Sequence, residues 1–301
     1  MTPAAAAVLT ITLLGTGNPR PALERRGPAT LVEVATTPPT RILVDAGRSA
    51  AEGLFASGGR AALAGVDLVL LTHLHSDHVV GLPDVWLTGW LFGRAKALSL
   101  KGPEGTAAMM GHLEKAFAFD VKTRRDLDER LPGAGATVEA RDVRPDEPFE
   151  VSGVKITAFL VDHGPVKPAY GYRIDYAGKS VVFSGDTRYS ENLVAHAKGC
   201  DVLVHEVVAP EVERRVSQVS AAATEKVLAH HTTPEDAGRV FSSVKPKLAV
   251  YSHVVPSPAT AADLEAPTRK TYSGPLLVGE DGTVIEVRDT VTVRLRPAPR
   301  P

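Results

Sequence analysis

The chain has one cysteine, Cys200, in 301 residues. No disulfide can form within it, so the fold does not depend on an oxidising compartment, and thiolates cannot build a metal cluster. Charge of one sign is also missing. Lys and Arg number 34 against 35 Asp and Glu, the net charge is −1, and the isoelectric point is near 6.8. That balance excludes global attraction to nucleic acid or to an anionic membrane and leaves only a local basic patch to hold a polyanion. No apolar run reaches the length of a membrane span. Residues 8–14 are apolar, but no basic segment precedes them and they run straight into Gly15-Thr16-Gly17. They read as a first strand and turn, not as a signal peptide. The resulting expectation is a cytoplasmic protein with no membrane partner. No fixed-period repeat and no composition shift divides the chain. Residues 1–301 are therefore expected to form a single domain, with 297–301 as a frayed tail.

The composition is that of an ordinary globular protein, 44% hydrophobic and 23% charged, with enough apolar residues for a sizeable core. Short β-rich runs recur at 8–14, 29–35, 41–45, 67–72, 155–162, 171–176, 180–186, 201–206 and 247–253. Helical patterns lie between them at 105–118, 190–197 and 211–229. Another helix starts after Thr233, whose hydroxyl can cap it, with Pro234 at the first position and Glu235 and Asp236 at the positive end. Antiparallel pairs are expected within 29–45 and around Gly178. This mixture predicts an α/β fold of two sheets covered by helices. Residues 256–275 read as a loop, and Glu280-Asp281-Gly282 as the turn of a terminal hairpin. Trp86, Leu87, Trp90, Leu91 and Phe92 form an apolar stripe at helical spacing, suited to packing on the sheet or to a subunit contact, with a substrate wall as the other option.

The chemistry concentrates in His73-Leu74-His75-Ser76-Asp77-His78, four possible metal ligands within six residues, directly after an apolar run. Side-chain alternation at a strand end sends His73 and His75 to one side, and a turn can bring Asp77 and His78 back toward them. Imidazole with carboxylate suits zinc or a similar first-row metal. Three more ligand types end strand-like runs: His163, Asp186 in Gly185-Asp186-Thr187, and His253. If these strands share a direction, all seven side chains gather at one edge. By contrast, His112, His196 and His205 read as structural. Arg124, Arg125, Arg130, Arg141 and Arg144 are interspersed with acids and read as a solvated surface.

This ordered set resembles the metallo-β-lactamase superfamily. Within it, Leu14-Gly15-Thr16-Gly17, Val44-Asp45-Ala46-Gly47, Thr72, His205-Glu206 and His231-Thr232 resemble the branch of ribonuclease Z and its arylsulfatase-like and phosphodiesterase relatives. The resemblance covers nearly the whole chain and implies an αββα sandwich with metals at the edge between the sheets. It implies two divalent ions, zinc foremost and Mn or Fe as options. His73, His75 and His163 would hold one, Asp77, His78 and His253 the other, and Asp186 would bridge them. Such a positive centre would lower the pKa of water toward neutrality. Glu206 and His231 match the branch's proton-handling pair, although His231 alone also reads as a residue at the start of a helix. Asp45 is expected to orient a ligand histidine, with a plain turn residue as the alternative.

The implied reaction is hydrolysis of a phosphodiester or related ester of a small molecule, with Asp77, Glu206 and His231 as the catalytic side chains. Lys167 and Tyr170, close after His163, are candidate substrate contacts. The alternatives are a ribonuclease Z-type endoribonuclease, an arylsulfatase, lactonase or β-lactamase, and a non-enzymatic metal-binding sensor or scaffold. Ribonuclease Z grips its RNA with a protruding arm, inserted in the short form between the positions matching His163 and Asp186. Only 22 residues separate them here, so structured RNA is not the expected partner. The family also implies a homodimer, for which the Trp86–Phe92 stripe offers a surface.

Overall fold

The computed structural model describes residues 7–295; the 297–301 tail lies outside them. The first half of the chain runs β1 Leu9–Gly15, β2 Ala29–Val34, β3 Thr40–Val44, α1 Ala50–Ala64, β4 Leu68–Leu70, α2 Ser76–Val79, α3 Leu82–Leu91, β5 Leu98–Gly102, α4 Thr106–Ala116, α5 Ala118–Lys122 and β6 Val138–Asp142. The second half runs β7 Phe149–Val151, β8 Val154–Leu160, β9 Tyr170–Tyr176, β10 Lys179–Phe183, α6 Glu191–Ala197, β11 Val202–Val208, α7 Pro210–Val216, α8 Ala221–Leu228, α9 Pro234–Val244, β12 Leu248–Val255 and α10 Ala261–Thr268. It closes with β13 Leu276–Val278, β14 Val284–Val287 and β15 Val291–Arg294. No helix among the described residues is long and apolar enough to cross a membrane.

Two sheets result, in strand orders β15-β14-β1-β2-β3-β4-β5-β6 and β13-β12-β11-β10-β9-β8-β7. Alternation along each strand builds the layers. Leu9, Ile11 and Leu13 face the second sheet, as do Leu68 and Leu70, and they meet Val181, Phe183, Val202 and Val204 in the central core. The intervening Leu14, Val69 and Leu71 face outward onto α1, α3 and α4. Val182 and Leu203 face outward onto α6 and α9. Strands covered on both sides are apolar at nearly every position, and the four layers are the expected αββα sandwich.

The cap expected at Thr233 forms, and Ser190 supplies another. Thr233 accepts from Asp236 N at the start of α9, and Ser190 accepts from Leu193 N at the start of α6. Three expectations are corrected. The helix expected at 211–229 is two helices, because Ser217 is extended and Ser220 caps a new start. Residues 256–275 contain α10, started by a capping box between Thr260 and Asp263. Glu280-Asp281-Gly282 is not a hairpin turn: β13 joins β12 in one sheet and β14 joins β1 in the other. The Asp281 carboxylate pins this crossing by accepting from Thr16 N, Thr16 Oγ1 and Arg26 N.

The tryptophan stripe is also placed differently from the dimer expectation. Trp86 and Trp90 are each 1% exposed within one chain. Their indole N–H groups donate to Ala136 O and Pro132 O, both at 2.9 Å. A buried indole that has found its partner is a core residue, so neither ring offers a surface to a second subunit. Acrylamide should therefore quench the intrinsic fluorescence only weakly. Free quenching of a monodisperse sample would return the stripe to the surface.

Candidate metal centre

Strand direction brings the site together. β8, β10, β11 and β12 run the same way, and so do β1, β3 and β4 in the other sheet. His73, His163 and Asp186 follow the C-terminal ends of β4, β8 and β10, and His253 sits near that end of β12. The sheets touch at this edge through Tyr170 N to Thr72 O at 2.8 Å and Val254 N to Thr16 O at 2.9 Å. Local irregularities aim the ligands. The β11–β12 ladder shifts register between His205 and Val207, and opposite this bulge His253 adopts φ 44°. Asp45 sits at φ 58° and Gly185 at φ 59°. A Cβ on Gly185 would fall 2.3 Å from Tyr170 O, so only glycine lets the chain turn there and present Asp186.

The seven expected ligands converge in two groups. His73 Nε2 lies 3.0 Å from His75 Nδ1, and His163 Nε2 lies 3.3 Å from that same atom. His253 Nε2 lies 3.3 Å from Asp77 Oδ2, and His78 Nε2 lies 3.6 Å from it. Asp186 Oδ2 stands between the groups, 3.8 Å from His73 and His163, 3.5 Å from His78 and 3.4 Å from His253. Ligand atoms about 2.0–2.1 Å from one tetrahedral zinc lie about 3.3–3.4 Å apart, so these spacings suit divalent cations.

Proton placement makes the same point. His163 Nδ1 donates to His230 O at 3.1 Å, which leaves Nε2 as a lone pair. Thr72 Oγ1 donates to Asp45, so it accepts from His73 Nδ1, and His73 Nε2 is a lone pair too. His75 Nδ1 can donate to only one of them. Converging lone pairs need a cation. The buried His78 Nε2 and Asp186 Oδ1 likewise have no hydrogen-bond partner. Burial holds His73 well below the usual imidazole range and His163 down at about 4, so both are neutral. Burial opposes charge on Asp186, yet His253 and His78 hold its carboxyl well below the usual range. Burial also opposes charge on His78, but Asp186 and Asp45 outweigh it and raise its pKa well above the ordinary value. A divalent ion bound among these groups would take the place of the protons that the carboxylates draw onto the imidazoles, and would displace them.

The surrounding groups are tightly held. Asp45 accepts from Thr72 N at 2.8 Å, Thr72 Oγ1 at 2.9 Å and His78 Nδ1 at 2.8 Å. It thereby fixes the tautomer that directs His78 Nε2 into the cluster. Glu206 Oε1 accepts from Thr187 N and Thr232 N and lies 3.2 Å from His231 Nδ1, close but not aligned as a hydrogen bond. Burial raises the Glu206 pKa well above its ordinary value and lowers His231 to about 4. His231 also stands within ligand reach, since its donor atom and those of Asp186 and His253 lie within 4.8 Å of one another.

Other expectations fare unevenly. Lys167 is exposed on the short loop after His163. Tyr170 is corrected as a substrate contact. It shares strand parity with Tyr172 and Ile174, lies in the central core, and donates its hydroxyl to Val143 O at 3.0 Å. His205 packs its ring edge-on against Phe241, and His196 stacks on Phe159. Arg124, Arg125 and Arg144 pair with nearby acids. His230 was missed. Its carbonyl holds His163, and its ring lies 4.9 Å from the His163 ring. The adjacent pair His230-His231 was the only signal in the sequence.

An αββα sandwich carrying a His/Asp cluster on the shared edge of its sheets defines the metallo-β-lactamase-fold hydrolases. Residues 40–254 match the model of the β-lactamase superfamily domain, and the chain belongs to that superfamily. It is 35% identical over 289 residues to a Mycobacterium bovis protein named Ribonuclease Z, covering 93% of this chain and 99% of that one. Among solved structures, the short form of human tRNase Z superposes with a TM-score of 0.67 at 20% identity, over 93% of this chain and 98% of that one. A diphosphatase of the PhnP family superposes with a TM-score of 0.64 at 19% identity, over 93% and 98%.

Proposed function

We propose that the protein hydrolyses a phosphodiester of compact size, using two divalent ions, zinc foremost, held by the seven ligands at the sheet edge. His73, His75 and His163 would hold one ion and Asp77, His78 and His253 the other, with Asp186 available to each group. When bound, the ions would lower the pKa of water toward neutrality and draw charge from the phosphoryl oxygens. The protein's own groups do the rest. Asp45 keeps His78 in one tautomer. Asp77 accepts a hydrogen bond from the attacking water and orients it. His231 gives a ring proton to the departing oxygen, and the adjacent Glu206 carboxyl replaces it at Nδ1. A protein with one buried thiol and no disulfide suits a reducing cytoplasm.

The observation that supports a compact substrate is the connection from His163 to Asp186. It consists of a short loop, β9, the turn at Ala177-Gly178 and β10, with no inserted arm. Neutralising phosphates with Lys and Arg supplies much of the affinity for RNA, and this connection carries few of either. One observation favours a second reading, endoribonuclease activity: the full-length similarity to proteins named Ribonuclease Z. Parallel assays on a bis-aryl phosphodiester and a precursor transfer RNA, with the same metal and salt, separate the two. The diester is expected to show the higher kcat/KM. Defined cleavage of the RNA at the discriminator position with higher kcat/KM would replace the first reading with the second. Aryl sulfates, a lactone and a cephalosporin complete the panel; preferential turnover of any of them would reject both readings. No hydrolysis of any of them by metal-loaded protein would favour a sensor or scaffold.

A further inference from the structure

Six of the seven proposed ligands are buried, and only His75 is exposed. The side of the centre that faces solvent is therefore the side of His75, which lies next to His163. One more side chain stands at that opening. The His230 ring is half-buried, 4.9 Å from the His163 ring and 5.2 Å from the His231 ring. Its position is fixed from two directions. Its carbonyl accepts from His163 Nδ1 at 3.1 Å, and a Cβ placed on Gly164 would lie 2.9 Å from His230 Cβ, so the loop after His163 packs against it. Neither ring nitrogen makes a hydrogen bond or ion pair among the described residues. Every other imidazole around the centre is either a proposed ligand or, as His231 does, lies against the Glu206 carboxyl. A positioned ring whose nitrogens have no protein partner, at the mouth of a metal centre, is free to bond what enters.

We propose that His230 is a substrate-contacting residue whose ring N–H donates to a non-bridging phosphoryl oxygen held on the His75–His163 side. This rests on the phosphodiester reading. The imidazole has a donor in either protonation state, so the contact needs no change of charge. A hydrogen bond to an anionic oxygen is stronger than one between neutral groups, and it is made only by substrate, product or an analogue. The backbone of His230 already serves His163 whatever its side chain, so replacing the ring should leave metal binding intact.

The test uses inorganic phosphate as the probe and protein loaded with Co2+, followed by visible absorption, alongside kcat and KM on bis(4-nitrophenyl) phosphate. Three variants are compared: His230→Ala, His230→Phe, which keeps a ring but has no donor, and His230→Asn, which restores one. Metal content should stay at the parent level. Phosphate affinity should fall roughly tenfold or more in the Ala and Phe variants and recover in part with Asn. Should Ala lose metal, the Phe and Asn pair carries the comparison. Parent-like phosphate affinity in the Phe variant overturns the proposal, and so does a parent protein that binds no phosphate. His230-dependent phosphate binding without turnover of any diester would reject the phosphodiester reading and keep this contact. Diester turnover with phosphate binding indifferent to His230 would do the reverse.

Discussion

Asp186→Ala is expected to drop metal content from about two equivalents per chain to below one and to cut turnover by ~10³-fold or more. The size follows from position. Asp186 Oδ2 lies 3.4–3.8 Å from His253, His78, His73 and His163, so one oxygen faces both groups of side chains. Metal ions contribute several kcal/mol of charge stabilisation in such reactions, and about 1.4 kcal/mol is tenfold in rate. Removing the shared carboxylate also leaves imidazoles that repel one another once protonated, which weakens both sites together. His253→Ala should behave differently. His253 touches Asp77 and Asp186 but not the His73–His75–His163 group, so one equivalent should remain. Asp186→Asn separates charge from volume, since it keeps the shape and one coordinating oxygen but loses the anion. Elemental analysis after gel filtration reads all three. Two equivalents and parent turnover in Asp186→Ala would sink the shared-ligand arrangement. A parent protein with one tight metal, and no gain on titration, would sink the two-ion reading.

Much of this site was legible because its signals are local. The spacing of His73, His75, Asp77 and His78 after an apolar strand, and Asp186 next to a positive-φ glycine, need only alternation and turn chemistry. The layers follow from the same parity, with Leu13 facing inward and Leu14 outward. What escaped was set by contacts distant in sequence. Asp281 looks like a hairpin turn until Thr16 and Arg26, more than 250 residues earlier, claim its carboxylate and carry the chain across to the other sheet. His230 is an unremarked neighbour of His231 until His163 donates to its carbonyl. Two other placements do have a local signal. Tyr170 has the parity of Tyr172 and Ile174, which already placed it in the core. Thr260 and Asp263 have capping-box spacing inside the loop-like composition of 256–275.

His231→Ala is expected to lower kcat on a phosphodiester with a poor leaving group by about 10²–10⁴-fold while metal content stays at the parent level. Burial lowers the His231 imidazole to about 4 and raises the Glu206 carboxyl well above its ordinary value, so it favours the neutral form of both. The pair therefore holds one proton to give. As His231 passes its ring proton to the departing oxygen, Glu206 can give its own proton to His231 Nδ1, 3.2 Å away, which leaves a neutral imidazole beside a carboxylate held by Thr187 N and Thr232 N. The Glu206 carboxyl is itself fixed by Thr187 N and Thr232 N, which places His231 without help from the metals. Leaving-group dependence is the signature. An oxygen that departs easily as an anion needs little protonation, so the loss should shrink toward parent rates on an activated diester and grow as the leaving group worsens. A merely structural role would reduce all substrates alike. The proximity of His231 to Asp186 and His253 also allows it to be a ligand, and metal analysis distinguishes that case. Loss of one equivalent in His231→Ala would make it a ligand. Full metal content with equal loss on good and poor leaving groups would make it a packing residue. Only full metal content with a loss that steepens as the leaving group worsens fits the acid, and Glu206→Gln should then show the same trend in weaker form.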